Sequence, residues 1–255
     1  MARHLLIGLV AAAALSGLAH AGELAPEQRP AKPPPVGTGP VVTPQAEAPE
    51  YETPEGCVEV NASTSCSVGG ISALVSIEQI TSRSVTLRQS GDGNSARITQ
   101  SGDGGHKAVV VQNGDDNSLS LGQSGSSTLA TLSQTGDRHV MNVTQDGQGP
   151  AVLVAAQQGA GNRLSVGQYV GGSQGLGAVV SQSGVGNSMS LAQSGSDNQA
   201  VLSQQGDGNA MTASQVGEGR RLVWSQLGSN LPDLHITQNG GGYASQMIVT
   251  QTGGR

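Results

Sequence analysis

At 255 residues the chain is long enough for one or two ordinary domains, yet it has no Phe, one Trp and 39 Gly, which cannot fill a thick interior. Its formal net charge of −6 gives no support to nucleic-acid binding. Val, Leu and Ala recur too regularly for simple disorder, which leaves a thin core between two narrow sheets.

Residues 1–21 carry the three parts of an export signal: Arg3 and His4, an apolar run from Leu5 to Leu18, then Ala19-His20-Ala21 before Gly22. The run is too short to span a bilayer, and nothing later approaches that length, so no transmembrane segment is expected. Removing the signal leaves 11 Lys+Arg against 18 Asp+Glu, a net charge of 11 − 18 = −7. Residues 22–56 hold nine of the eleven prolines, including Pro33-Pro34-Pro35, and read as a disordered or extended Pro-rich linker. Residues 57–72 form a transition that would suit a cap. They contain the two cysteines, Cys57 and Cys66, which in an oxidising compartment most simply form one disulfide. A metal site would want two more ligands nearby, and none is evident.

From residue 73 to 255 the chain repeats itself. A glutamine returns about every eleven residues, at Gln79, Gln89, Gln100, Gln112, Gln123, Gln134, Gln145, Gln157, Gln168, Gln182, Gln193, Gln204, Gln215, Gln226, Gln238 and Gln251. Positions two and four before it are apolar, as in Leu121 and Leu119 or Leu191 and Met189, with polar residues between. Each unit therefore reads as a short strand with one apolar face, shared by the glutamine. Gly usually follows two residues later, as at Gly114 and Gly136, where a tight reversal demands positive φ.

Sorting the glutamines alternately shows a longer period. In the series containing Gln100, the position six before the glutamine is Asn five times: Asn94, Asn117, Asn162, Asn187 and Asn209. In the series containing Gln89 it is Asn only at Asn198. The repeat is thus about 22 residues, strand, fixed turn, strand, variable connection. Stacked rungs make an all-β, two-sheet β-solenoid, with seven full rungs and a half-rung at each end standing roughly 38 Å tall. Inward amides are tolerable only if each pairs with its equivalent one rung away, so the Gln and Asn columns are expected to form polar ladders. Outward positions read as a mixture of Ser, Thr, Arg and Gly without a flat repeated array.

Catalytic and ligand-binding patterns are weak. His106 and His139 occupy positions otherwise held by Asn or Ser, His235 sits in another repeat, and no Ser-His-Asp spacing emerges, so no enzyme, catalytic residue or cofactor is expected. The GDG turns at 91–93, 102–104 and 206–208 lack the nonapeptide period of calcium-binding solenoids and read as turn chemistry. Trp224 points inward and reads as an end-packing residue of the last full rung, because a ring that large overfills a thin core.

The pattern S-x5-Q-x4-N-x5-Q, present as Gln89-SGDG-Asn94-SARIT-Gln100, Gln182-SGVG-Asn187-SMSLA-Gln193 and Gln204-QGDG-Asn209-AMTAS-Gln215, resembles the repeat of the curlin family, the subunits of curli amyloid fibres. The resemblance implies a secreted subunit that crosses the outer membrane through a dedicated pore, works with chaperones and a nucleator subunit, and polymerises at the bacterial cell surface as biofilm matrix. The chain departs from the family pattern where the first-strand serine is replaced by Arg83, His106, Thr128, Ala151, Leu176 and Arg220, leaving Ser245. The expectation is an extracellular fibre subunit that adheres and stacks head to tail, the strand of Gln251 completing a rung with that of Gln79 in the next copy. The alternative is a monomeric β-solenoid adhesin or a fibre nucleator or anchor.

Overall fold

The computed structural model describes residues 57–60, 63–68, 72–77, 83–240 and 245–253, the first three stretches as backbone only. The export signal, the Pro-rich linker, Gln79 and the cysteine side chains lie outside the described residues. All described residues belong to one compact unit, Pro54–Arg255.

That unit is a two-sheet β-solenoid. Its strands are β1 (Cys57–Val60), β2 (Ser63–Val68), β3 (Ser72–Ile77), β4 (Ser84–Ser90), β5 (Ser95–Gln100), β6 (His106–Asn113), β7 (Ser118–Gln123), β8 (Thr128–Asp137) and β9 (Val140–Gly147). They continue as β10 (Ala151–Ala160), β11 (Arg163–Val170), β12 (Leu176–Val185), β13 (Ser188–Ser196), β14 (Gln199–Gln205), β15 (Ala210–Glu218), β16 (Arg221–Leu227), β17 (Leu234–Gln238) and β18 (Gln246–Thr252). The even-numbered strands from β2 to β18, with β1 at the end, form a ten-stranded sheet A, and the odd-numbered strands β3 to β17 form an eight-stranded sheet B. Every pairing is parallel and in register except β1 with β2, which is antiparallel.

Period-two alternation explains the strands. In β7, Ser118 and Ser120 face water while Leu119, Leu121 and Gln123 are buried. One apolar stripe per strand suffices because the two sheets close on each other: Leu87, Val110, Leu132, Val180 and Leu202 of sheet A share a single core with Ile98, Leu121, Val143, Val166 and Leu191 of sheet B. Glycine sets the turns. Gly136 has φ 109°, and a Cβ there would lie 1.9 Å from the Gly159 carbonyl oxygen one rung away, so neither the conformation nor the spacing tolerates a side chain. The turns stack as tightly as the strands, with Gly114 N–H donating to Ser90 O at 3.0 Å and Arg138 N–H to Asp115 O at 2.9 Å. Among the described residues, no helix is long and apolar enough to cross a membrane.

Four expectations are corrected. First, Ile77, not Gln79, stands opposite Gln100, so the register of β3 differs from the one the glutamine spacing implied. Second, β3 is not a lone half-rung, because β2 precedes it on sheet A and β1 covers β2. The two ends are therefore not complementary as they stand. Third, Trp224 is not end-packed: it is 1% exposed inside the core, opposite Leu202 on one side and Val249 on the other. The sheet B core contains small Ala213 as well as Ile236, which leaves a thin core room for one indole. Fourth, the outer face of sheet A does carry a repeated array. Thr86, Val109, Thr131, Val154, Val179, Val201, Val223 and Ile248 are mutually in register down its centre. The equivalent column of sheet B is polar: Arg97, Ser120, Asn142, Ser165, Ser190, Thr212 and His235.

Candidate functional site

The buried polar columns and the strand edges where they end make up the candidate site. Sheet A carries one glutamine column. Gln89 Nε2 donates to Gln112 Oε1 at 2.6 Å, Gln112 to Gln134 at 2.7 Å, Gln134 to Gln157 at 3.0 Å and Gln157 to Gln182 at 2.9 Å. The column continues from Gln182 to Gln204 at 2.9 Å, to Gln226 at 2.7 Å and to Gln251 at 2.7 Å. Sheet B repeats it through Gln100, Gln123, Gln145, Gln168, Gln193, Gln215 and Gln238, with separations of 2.8–2.9 Å. Rung spacing along these columns is 22 to 25 residues.

Two properties of the columns go beyond what periodicity implies. Most of the Nε2 groups also reach across to a backbone carbonyl of the facing sheet, as Gln112 does to Ser95 O at 3.2 Å and Gln123 to Lys107 O at 3.3 Å. The glutamines thus tie rung to rung and sheet to sheet. The columns are also directional, every amide donating toward the C-terminal rung. Their first acceptors, Gln89 Oε1 and Gln100 Oε1, are consequently buried with no partner, because the residues opposite them in the preceding rung are Ser67 and Ile77.

An asparagine column runs along the corner between β4 and β5 and its equivalents. Asn94 Nδ2 donates to Ser90 O in its own turn at 3.0 Å and to Gly114 O in the next at 2.7 Å. Its Oδ1 accepts the Asn117 N–H at 3.1 Å. Asn162, Asn187 and Asn209 repeat the arrangement, and the last ends on the Leu231 N–H. His139 fills the one gap. Its backbone N–H donates to Asn117 Oδ1 at 3.0 Å, its Nδ1 accepts the Asn162 N–H at 3.3 Å, and its Nε2 lies 3.1 Å from Thr135 O. This fixes the neutral tautomer with hydrogen on Nε2. Burial pushes its pKa below the ordinary histidine value, against the opposing pull of the Thr135 and Gly159 backbone and the Asp137 charge.

The opposite corner is held by mixed residues. His106 bonds Thr128 Oγ1 at 2.9 Å and Ser101 O at 2.8 Å. Its pKa is likewise lowered, mainly by burial, with the Ser101 carbonyl opposing and Arg83 adding to the depression. Arg83 and Arg220 cap the glycine carbonyls Gly102 O and Gly240 O, the role that Asn198 plays at Gly217 O at 3.0 Å. Ala151, Val170 and Leu176 replace polar capping by a small apolar cluster. In the turns, Asp115 and Asp137 accept backbone N–H groups of the neighbouring rung, from Asp92 at 2.8 Å and Asp115 at 2.9 Å. The geometry stacks rungs and leaves edges; among the described residues it gathers no acid–base pair around a common point.

Residues 84–114 and 114–147, which span β4 to β9, match the curlin associated repeat. These residues resemble two adjacent curlin repeats. No curated protein and no solved structure matches it. The curlin-type glutamine column does not stop at the matched residues but runs on in the same register to β18. Of the site residues expected from sequence, Gln79 and the Cys57 and Cys66 sulfurs lie outside the described residues, while the Cys57 and Cys66 backbones stand directly opposite each other.

Proposed function

We propose that this curlin-repeat chain is a secreted structural subunit of curli-like extracellular amyloid fibres, serving adhesion and biofilm matrix at the bacterial cell surface, and that it polymerises by stacking rung on rung. The observation that carries the reading is the directional ladder ending at β18, where the core-facing Met247 is 38% exposed and Gln251 Nε2, with no further glutamine to donate to, turns to a loop carbonyl, Pro232 O, at 2.8 Å. A ladder with donors at one end and unpaired acceptors at the other is built to continue. The partners of the reading are further copies of the chain, a nucleator, chaperones and an outer-membrane pore. Purified chain should form thioflavin-binding fibres whose diffraction shows a spacing of about 4.8 Å along the fibre axis. A product that stays monomeric at high concentration would sink the reading.

The aliphatic column on the outer face of sheet A favours a second reading, a monomeric adhesin presenting that face. It predicts surface binding by a soluble monomer without thioflavin-positive growth.

A further inference from the structure

Sheet A has ten strands and sheet B eight. Stacking one copy on another as they stand would leave sheet B two strands short at every junction. The excess is the β1–β2 hairpin. Without it each sheet has eight strands, sheet B beginning with β3 and sheet A ending with β18, so the two ends differ by half a rung and interlock.

The edge under the hairpin fits β18. Strands β4 and β18 each have seven residues, and placing Gln251 opposite Gln89 pairs them end to end, with Met247 on Val85 and Val249 on Leu87. The hairpin makes a poorer fit. β2 pairs with β4 over four residues, Ser65 to Val68, whereas β16 pairs with β18 over seven. Gln89 Oε1 is buried without a donor beneath β2, and Gln251 Nε2 of a second copy would supply that donor. On sheet B, Ile77 remains opposite Gln100, so the junction ladder runs through sheet A alone.

We infer that the edge formed by β3 and β4 is the docking surface for β17 and β18 of a second copy, and that the β1–β2 hairpin is a removable cover on it. The inference rests on the fibre reading above and adds the edge, the register and the barrier to it. A bridge between Cys57 and Cys66 would tie β1 to β2 and not to β4, so the hairpin leaves as one unit.

Thioflavin kinetics of the mature chain test this against a variant lacking residues 57–68 and a V68C/S90C variant, whose cysteines are opposite each other in the β2–β4 register. Deletion should shorten the lag several-fold. Oxidised V68C/S90C should lengthen it, reduction should restore it, and the unsubstituted chain should be indifferent to the same treatment. Because the locked variant keeps every strand and is reversed by reductant, it covers the case in which the deletion misfolds. In seeded growth, Q251L should slow elongation and Q238L should not. Fibres that form with unchanged lags in both variants overturn the cover and leave the fibre reading standing. Absence of fibres from all three chains defeats the fibre reading and the inference with it.

Discussion

Replacing Gln157 by leucine removes the middle of the sheet A ladder while keeping the site filled. Three hydrogen bonds disappear: the one received from Gln134 Nε2 at 3.0 Å, the one given to Gln182 Oε1 at 2.9 Å, and the one given to Val140 O at 3.2 Å. Gln134 Nε2 keeps Ser118 O at 3.2 Å, but Gln182 Oε1 is left buried without its ladder donor. An orphaned buried acceptor costs about 1–3 kcal/mol and each net hydrogen bond about 1 kcal/mol, which the extra apolar surface of leucine partly offsets. The expected loss is roughly 3 kcal/mol, a large fraction of the ~5–15 kcal/mol typical of a folded domain. The neighbouring Gln158, exposed on the outside, is the control, and Q158L should change stability by less than about 0.5 kcal/mol. Q89L should cost only about 1 kcal/mol, because Gln89 Oε1 already lacks a partner. Urea titrations followed by circular dichroism, below the concentration of assembly, give the three values. If Q157L and Q158L fall within about 0.5 kcal/mol of each other, the ladder is not what holds the rungs.

W224A should lose about 3–5 kcal/mol by emptying a core site, whereas W224F should lose much less, because it also deletes the buried, unpartnered indole N–H; thermal unfolding of the two separates them. G136A should cost about 3 kcal/mol or more, through positive φ and the contact with Gly159 O. G122A, where a Cβ meets nothing within 4 Å, should be stabilising by about 0.5–1 kcal/mol in the same titration. His139 and His106 have lowered pKa values in the fold, so the unfolded chain binds protons first. Their contribution is fully present above the ordinary histidine value of about 6.5 and is lost as pH falls through the lower folded values. H139N, which restores the asparagine column, should flatten that loss; an unchanged pH profile would contradict the lowering of the His139 pKa by burial.

The period, the alternation and the Gln and Asn columns were legible because each lies at a fixed spacing from identical residues one rung away. What was not legible depends on distances between unlike residues. The bonds from the glutamines to the facing sheet, such as Gln112 to Ser95 O, require the separation and offset of the sheets, which no spacing encodes. Arg83 and Arg220 look like losses of a small polar residue, yet a long guanidinium reaches the same glycine carbonyl that asparagine caps. The first rung was misread for a related reason: Gln79 continues the count, but Ile77 fits the register. The antiparallel β1 has no periodic counterpart at all. Trp224 was misjudged because its column was weighed alone, without Ala213 in the facing sheet.

The helical rise of the fibre, measured by electron cryomicroscopy, tests the account most directly. Eight strands per sheet at about 4.8 Å each predict a rise of about 38 Å per subunit, with strands perpendicular to the axis and Gln251 of one copy beneath Gln89 of the next. A rise near 48 Å would mean that the β1–β2 hairpin stays in the stack. A chain that forms no fibre, or a fibre whose strands do not lie across its axis, would contradict stacking itself.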